Sequence, residues 1–376
     1  MSRIRLAPFS RRSFLHLSAA ASAAAVFQPF TEAQHAARNR GPFSKDAVLI
    51  DANENPLGPT QSARDAVAAI IPQGGRYSDN LTDELTGTFA QNEGLNPDYI
   101  QAFPGSTGPL VGSVLAFTSP RKSYVTADPG FEAGMRAAST SSARVVKVPL
   151  TKDYAHDVKA MLAAAPDAGM FYVCNPNNPT GTLTSHSDIE YLVEKKPKGS
   201  VVVVDEAYIH LSDAASTLDL VKAGKDVVVL RTFSKVYGMA GLRCGFAIAR
   251  PELLERVNAY GGLTFMPITA VVAATASLNN AGLVPERKRI NAAVREETFQ
   301  WLQRNAYSYI PSQANHFMID TKRPGKDVRE AMKKQNVFIG RSWPIWPTYV
   351  RVTVGTQDEM QHFQSAFQKV MTGSAV

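Results

Sequence analysis

Short runs of β-branched and apolar residues recur through the middle of the chain, and they constrain its fold more than any other feature. Residues 201–204 are four consecutive valines. Six further runs are strand candidates, at residues 99–103, 124–127, 145–148, 170–174, 227–230 and 244–249. Because these runs are apolar at successive rather than alternate positions, they indicate strands buried on both faces. With helical spacing between them, they predict an α/β fold with a mainly parallel sheet between helices.

The same patterns predict the domain organisation. Helical apolar spacing begins at residues 61–71, and the strand–helix alternation continues to about residue 260, so we predict a large domain at 61–260. Residues 261–376 combine a helix at 285–305 with short strands, which is typical of a smaller α+β domain. Residues 34–60 are polar and turn-rich, and we expect them to form an arm that joins this smaller domain.

Charge and composition argue against several other classes of protein. The formal net charge is +7, and four arginines and one glutamate before residue 34 supply +3 of it. No Lys/Arg-rich run with interleaved aromatic residues follows, so we expect no nucleic-acid partner. The histidines lack metal-ligand spacing and no long apolar stretch follows the N-terminus, so we predict neither a metal site nor an internal membrane span. Cys174 and Cys244 lie in apolar surroundings, which favours buried, unreactive thiols over a disulfide.

The N-terminus has the features of an export signal. Arg11 and Arg12 precede an apolar, alanine-rich stretch at residues 14–27, and residues 31–33 form a small-residue cleavage site. This order predicts a secretory signal, and the paired arginines resemble the twin-arginine (Tat) signal of bacteria. We therefore expect residues 1–33 to direct a folded protein through the Tat export machinery to the periplasm, or to anchor it to the inner membrane if uncleaved. A disordered basic tail or an amphipathic helix is the alternative.

Four loops follow predicted strands, and ligands of open α/β sheets bind at the carboxyl ends of strands. Residues 105–108 read Gly-Ser-Thr-Gly before a predicted helix, so backbone amides and the helix dipole favour an anion there, although Gly/Ser loops are common. The loop at 174–181 contains two Asn-Pro steps. It is either a rigid structural turn or a turn that holds an asparagine against a ring hydroxyl.

The other two loops carry charged residues at the ends of buried strands. Asp205 follows the four valines, where a carboxylate is costly unless it is paired. It either caps a helix or pairs with a protonated ring nitrogen. Lys235 follows the run at 227–230 and is flanked by Ser, Thr and Gly. It is either a surface lysine or a nucleophile for a carbonyl group, with Ser234 and Arg243 able to reach a phosphate.

Together these motifs resemble the class I/II aminotransferases of fold type I, and among them the histidinol-phosphate aminotransferase-like branch. The resemblance covers nearly all of the chain after residue 33. It rests on Asn-Glu-Asn-Pro-Leu-Gly (53–58), Arg-Tyr-Ser-Asp (76–79), Asn-Pro-Asn-Asn-Pro-Thr-Gly (175–181), Asp-Glu-Ala-Tyr (205–208), Ser-Lys-Val-Tyr-Gly-Met-Ala-Gly-Leu-Arg (234–243) and Arg-Val-Thr-Val-Gly-Thr (351–356). It implies a large domain with a seven-stranded sheet that binds pyridoxal 5′-phosphate (PLP) as cofactor. The implied reaction is a two-step ping-pong transfer of an amino group from an amino acid, or an amino-alcohol phosphate, to a 2-oxo acid such as 2-oxoglutarate.

The resemblance also implies a role for each matching residue. Lys235 binds the cofactor as a Schiff base and then moves the substrate proton, while Asp205 pairs with the pyridinium. By the same resemblance, Tyr208 and Asn178 contact the phenolic oxygen of the cofactor, and Phe131 stacks on its ring. The phosphate is bound by Ser106, Thr107, Ser234 and Arg243. Arg351, with Asn178, binds the substrate carboxylate, and Tyr77 contacts the phosphate bound by the neighbouring subunit. The last contact implies a homodimer.

Three features depart from the pattern of that family. Phe131 stands where tyrosine is common, and Leu57 stands where an aromatic residue is frequent. Residues 341–349 are rich in aromatic side chains just ahead of Arg351. They either pack in the core of the smaller domain or form an unusual substrate wall. Two other activities stay open on the sequence alone, namely a PLP-dependent decarboxylase of a phosphorylated amino acid and a non-catalytic binding module.

Overall fold

The computed structural model describes residues 40–261 and 265–373. Within them the chain forms twelve strands: β1 (Val48–Ile50), β2 (Ile100–Phe103), β3 (Ser123–Asp128), β4 (Val145–Pro149), β5 (Ala168–Cys174), β6 (Val201–Asp205), β7 (Val227–Thr232), β8 (Gly245–Ile248), β9 (Ser308–Ile310), β10 (His316–Asp320), β11 (Val337–Ile339) and β12 (Tyr349–Thr353). The α-helices of these residues are Gln61–Ile70, Asp79–Glu93, Thr107–Phe117, Ala133–Thr140, Val158–Ala164, His186–Lys195, Leu218–Lys222, Pro251–Gly261, Ile268–Leu278, Leu283–Arg304, Gly325–Lys334 and Gln357–Thr372. The helices predicted at 61–71 and 285–305 are present within two residues of their expected ends.

Seven strands form the central sheet, in the order β2-β8-β7-β6-β5-β3-β4. The pairs from β4 across to β7 are parallel, and β8 is antiparallel to both of its neighbours. The α/β fold with a mainly parallel sheet is therefore confirmed. Since β8 runs against the others, Gly245 at its start pairs with Thr232 and Phe103 at the ends of β7 and β2. The loops after β2, β3, β5, β6 and β7, and the residues before β8, thus meet at one edge.

The four valines of β6 show why the strand candidates lacked alternation. Val202 and Val204 lie in one apolar core, and Val201 and Val203 lie in the core on the opposite face of the sheet. All four side chains are buried. Helices cover both faces, so every position of the strand packs against apolar atoms, and Asp205 at its end is the first residue that meets polar groups.

A third apolar core lies in the C-terminal part of the chain. It joins β1 with β10, β11 and β12, and the long helix Leu283–Arg304 and the last helix Gln357–Thr372 pack on it. Strand β1 pairs in parallel with β11, and β9, β10 and β12 form an antiparallel sheet. The N-terminal segment thus contributes a strand to the C-terminal region. The domain boundaries at residues 34–60, 61–260 and 261–376 stay predictions.

Both cysteines are buried free thiols, as predicted. Burial raises the pKa of Cys244 to about 12 and that of Cys174 well above its ordinary value. Within residues 40–261 and 265–373, no single helix is long and apolar enough to cross a membrane, and one bent pair, Ile268–Leu278 with Leu283–Arg304, passes that test by length and composition. The same residues contain no cluster of three or more His, Cys, Asp or Glu side chains that could hold a metal ion.

Candidate active site

A cavity of about 370 Å³ opens at the edge of the sheet where the loops meet. Nine of the side chains selected from the sequence line it: Ser106, Thr107, Phe131, Asn178, Asp205, Tyr208, Ser234, Lys235 and Arg243. They come from five loops that are far apart in the sequence. The parallel strands bring these loops together, because all of them follow carboxyl ends at one edge or precede the antiparallel β8.

Lys235 lies in a tight turn just after β7. The turn is closed by backbone bonds from Gly238 N to the Lys235 carbonyl and from Met239 N to the Phe233 carbonyl, so the lysine stem has a fixed origin. Its Nζ donates to the backbone carbonyl of Asn53 at 2.9 Å and lies 5.4 Å from the centre of the Tyr208 ring. The side chain is partly buried and lines the cavity. The structure therefore places the one amine expected to react inside the cavity rather than on the surface.

Asp205 is buried at the end of β6. Tyr172 Oη donates to one carboxylate oxygen at 2.8 Å, and the backbone N–H of Ala207 donates to the other at 3.1 Å. Burial raises the pKa of Asp205 to about 6, although these two hydrogen bonds and the charge of Lys235 act in the opposite direction. A carboxylate that is desolvated to this extent is stabilised by a cation placed against it, which is the role expected for a protonated ring nitrogen.

Asn53 and Arg351 connect the cavity to the C-terminal region. Asn53 Nδ2 donates to Tyr208 Oη at 3.0 Å, and Asn53 itself is held by Thr353 of β12. Arg351 donates from Nη1 to Asn178 Oδ1 at 2.9 Å and from Nη2 to the Asp51 carbonyl at 2.8 Å. Arg351 is fully buried and does not line the cavity; it reaches the cavity wall through Asn178.

The start of the helix Thr107–Phe117 and Arg243 form the anion-binding end of the cavity. Arg243 donates to Ser234 Oγ at 3.4 Å and to the Ala240 carbonyl at 2.8 Å, and it holds a left-handed φ of +69°. Gly105 has φ +88°, and a Cβ at this position would lie 2.1 Å from Arg243 Nη2. Burial lowers the pKa of Arg243. Backbone amides at a helix start, two hydroxyl side chains and a guanidinium beside a glycine suit a phosphate group.

Tyr77, another selected residue, lies on the surface and does not line the cavity. Its side chain is 86% exposed and packs against Phe265, with ring centres 5.2 Å apart. The expected role of Tyr77 therefore stays a prediction.

Sequence reasoning missed three residues that shape the cavity. Asn53 lay in a motif that we used only as evidence of family, and its contacts with Tyr208 and Lys235 span more than 150 residues. Tyr172 lies within the fully buried strand β5 and read as a core residue. Thr232, at the end of β7, lines the cavity and donates to Ser234 Oγ at 2.9 Å.

The aromatic segment ahead of Arg351 packs in a small core. Trp343 is buried with Ile310 and Met318, which supports the core-packing interpretation of residues 341–349. Its Nε1 also donates to the Gly130 carbonyl at 3.0 Å, in the loop that carries Phe131. The indole therefore links the carboxyl end of β3 to the C-terminal region, and it does not line the cavity.

Comparison with known proteins decides the family. The sequence model of the family "Aminotransferase class I and II" matches residues 45–367. The chain belongs to this family. The histidinol-phosphate aminotransferase of Moorella thermoacetica is 31% identical over 87% of this chain and 86% of its own length. The aromatic amino acid aminotransferase of Cutibacterium acnes is 33% identical over 88% of this chain and 94% of its own length.

The fold agrees with that of solved relatives. The structure of the histidinol-phosphate aminotransferase of Sinorhizobium meliloti in complex with PLP superposes with a TM-score of 0.81 and covers 98% of this chain and 99% of that one, at 24% identity. This chain itself is a PLP-dependent transaminase, so the predicted cofactor and the predicted class of reaction are confirmed. The cavity fits PLP, because it combines a reactive amine, a buried carboxylate for a ring nitrogen, and a cradle at Gly105 that a Cβ would fill.

Proposed function

We propose that this transaminase acts on α-amino acids and 2-oxo acids, and that Arg351 holds the substrate carboxylate. The observation that carries the proposal is the hydrogen bond from Arg351 Nη1 to Asn178 Oδ1, which places a guanidinium against the wall of the cavity that contains Lys235. A guanidinium presents two parallel donors, and a carboxylate presents two acceptors at matching spacing. Asn178 and Arg351 together would orient the carboxylate.

Lys235 would carry the proton during the transfer. Bound PLP supplies an electron sink for the electron pair released at the substrate Cα. Lys235 Nζ would take the proton from the substrate Cα and deliver it to the cofactor, and it would move a proton in the opposite direction in the second half of the reaction. One amine would thus act as general base and as general acid. The Asn53 carbonyl, which accepts from Nζ at 2.9 Å, fixes the position of the amine.

Asp205, Tyr208 and the anion-binding end would hold the cofactor in a fixed orientation. Asp205 stabilises a protonated ring nitrogen, and Tyr172 orients the carboxylate through its hydrogen bond at 2.8 Å. Tyr208, positioned by Asn53, and Asn178 are the donors for the phenolic oxygen. The helix start at Ser106 and Thr107, with Ser234 and Arg243, would take the phosphate, and Phe131 would cover the ring.

The relatives leave two classes of amino donor to distinguish. One is named for histidinol phosphate, which has no carboxylate, and another for aromatic amino acids. A carboxylate site at Arg351 favours donors that carry an α-carboxylate, whatever their side chain. A test supplies purified holoenzyme with single amino donors and follows the absorption of the cofactor, comparing each amino acid with its decarboxylated amine. We expect amino acids to react at least tenfold faster in kcat/KM, and Arg351→Gln to remove this preference.

Several results would contradict the proposal. Equal rates for an amino acid and its amine, or an Arg351→Gln variant with unchanged preference, would exclude the carboxylate site. Release of carbon dioxide without a lasting change in cofactor absorption would favour the decarboxylase alternative. If Lys235→Ala retained biological activity, a non-catalytic binding module would be the better description.

We further propose that the enzyme is a homodimer in which Tyr77 reaches the phosphate bound by the other subunit. The support is the large exposure of the Tyr77 ring beside the exposed Phe265, since exposed aromatic patches mark interaction sites. Co-expression of Lys235→Ala and Tyr77→Phe chains tests this proposal. The mixed dimer should recover one site with wild-type PLP affinity, whereas a monomer in light scattering or the absence of recovery would contradict it.

We also propose export of the folded holoenzyme to the periplasm by the Tat pathway. The support is the order of Arg11 and Arg12, the apolar stretch at 14–27 and the small residues at 31–33, all of which lie outside the described residues. Cell fractionation of the wild type beside an Arg11→Lys/Arg12→Lys variant provides the test. The variant should stay inside the cell, and equal periplasmic amounts would contradict the proposal.

A further inference from the structure

A second cavity of about 200 Å³ adjoins the first and shares Glu54 and Lys235 with it. It lies between the loop 54–57, the helix Leu283–Arg304 and the turn that precedes the last helix. Much of its wall is aliphatic, from Leu57, Leu211, Ile290, Val294 and Val354. A volume of this size holds several heavy atoms, and the shared Lys235 places it beside the position where the substrate Cα must lie.

Arg287, on the helix Leu283–Arg304, is the cation that distinguishes this cavity. Its Nη2 donates to the Gly58 carbonyl at 3.2 Å, while its Nη1 is buried and donates to no acceptor among the described residues. No carboxylate of the described residues forms an ion pair with it. Burial lowers the pKa of Arg287. The charge of the neighbouring Glu286 offsets part of this effect, but no carboxylate in the described part of the chain contacts the guanidinium. A buried guanidinium N–H without an acceptor is unfavourable, and an anionic ligand would supply one.

The other polar side chains of the cavity already have partners. Glu54 pairs with Arg40 at 3.1 Å. Asn315 Nδ2 donates to the Asn53 and Glu54 carbonyls, and Gln357 Nε2 donates to Glu297. Lys235 belongs to the chemistry of the first cavity. Arg287 is therefore the group of this cavity whose charge calls for a ligand.

We propose that the second cavity is the subsite for the substrate side chain, and that Arg287 binds an anionic group at the far end of that side chain. The inference rests on the proposed function, because it places the substrate Cα at Lys235. The aliphatic walls would pack against methylene groups, and the guanidinium would take a terminal carboxylate or phosphate. The substrate class is then an amino acid, with its 2-oxo acid, that carries a second acidic group beyond an apolar spacer.

The test measures kcat/KM for single amino donors with the holoenzyme. Glutamate and 2-aminoadipate carry a distal carboxylate, O-phosphoserine carries a distal phosphate, and norvaline and norleucine are neutral donors of matching chain length. We expect wild type to prefer the acidic donors, and Arg287→Gln to lower the ratio of 2-aminoadipate to norleucine by about tenfold or more. Arg287→Lys should retain part of the preference. The matched control is Arg289→Gln, which removes an equal charge from an exposed position on the same helix.

A ratio that is unchanged in Arg287→Gln, or that falls equally in Arg289→Gln, would overturn the subsite. So would a wild-type enzyme that prefers neutral donors. A larger effect on O-phosphoserine than on the carboxylate donors would identify the anion as a phosphate. Failure of the proposed function has a different signature, because then no amino acid of the panel would change the cofactor absorption at all.

A second variant tests the cavity without touching the charge. Leu57 is 40% exposed and lines the cavity, so Leu57→Tyr would place a ring in the space between the loop 54–57 and the helix. We expect this variant to raise KM for 2-aminoadipate more than for alanine, whose side chain does not extend beyond the first cavity. Equal changes for both donors would contradict the assignment.

Discussion

Gly105 offers the sharpest test of the anion-binding end of the active site. Its φ of +88° disfavours any residue with a Cβ, at a cost of about 1–2 kcal/mol. An added Cβ would also lie 2.1 Å from Arg243 Nη2, so the guanidinium must move away from the helix start. A charge-assisted hydrogen bond to a phosphate contributes about 1.5–3 kcal/mol. Gly105→Ala should therefore weaken PLP binding by about 10- to 100-fold.

The assay is a titration of cofactor-free protein with PLP, followed by absorbance. Gly87→Ala is the matched control, since it adds the same methyl group on the helix Asp79–Glu93, where a Cβ would meet no other packed residue and where no residue lines the cavity. That variant should bind PLP as wild type does. A melting curve of the cofactor-free Gly105→Ala protein separates loss of fold from loss of affinity. PLP affinity within twofold of wild type in a folded Gly105→Ala protein would refute the assignment of Arg243 and the helix start to the phosphate.

Two further predictions follow from buried ionisable groups. Because burial raises the pKa of Asp205 to about 6, above its value in the unfolded chain, ionisation of Asp205 destabilises the cofactor-free fold as pH rises from about 4 to 6. Asp205→Asn should therefore stabilise the cofactor-free protein by up to about 3 kcal/mol near pH 7.5 and by little near pH 4. The same variant should lose transamination activity. If urea unfolding curves of the variant and the wild type show no pH-dependent difference in stability, the prediction is contradicted. The buried thiols of Cys174 and Cys244, with raised pKa values, should not react with a thiol reagent near pH 8 until the protein unfolds, and rapid labelling of native protein would show that one of them is accessible.

The sequence was sufficient to locate the seven strands of the central sheet, because these strands carry apolar residues on both faces, whereas the short strands β1 and β9 to β12 were not located. Val201 to Val204 alternate between two cores, so the pattern of a doubly covered sheet is written in consecutive positions. The antiparallel direction of β8 was not predictable in this way. An apolar run has the same pattern whichever way the strand points. The loop of residues 233–244 returns the chain to the same edge of the sheet, so β8 runs antiparallel to β7.

Loop residues next to strand ends were also accessible to sequence reasoning, since parallel strands bring such loops to one edge. Contacts between segments that are distant in the sequence could not be predicted. Asn53 reaches Tyr208 across 155 positions, and Tyr172 reaches Asp205 from the neighbouring strand β5. Neither contact has a local signature, because the partners meet only after the sheet and the C-terminal region have assembled. The sequence also did not indicate a ligand site at Arg287, because an arginine on an amphipathic helix is usually solvated.

The central claim is that Lys235 is the amine that binds the cofactor and moves the substrate proton. Reduction of the holoenzyme with borohydride, proteolysis and mass spectrometry test it most directly, because reduction makes the bond between a lysine and PLP permanent. We predict a phosphopyridoxyl group on the peptide that contains Lys235, and its loss when amino donor is added before reduction. A modified lysine elsewhere in the chain, or no modified peptide from PLP-loaded protein, would contradict the account.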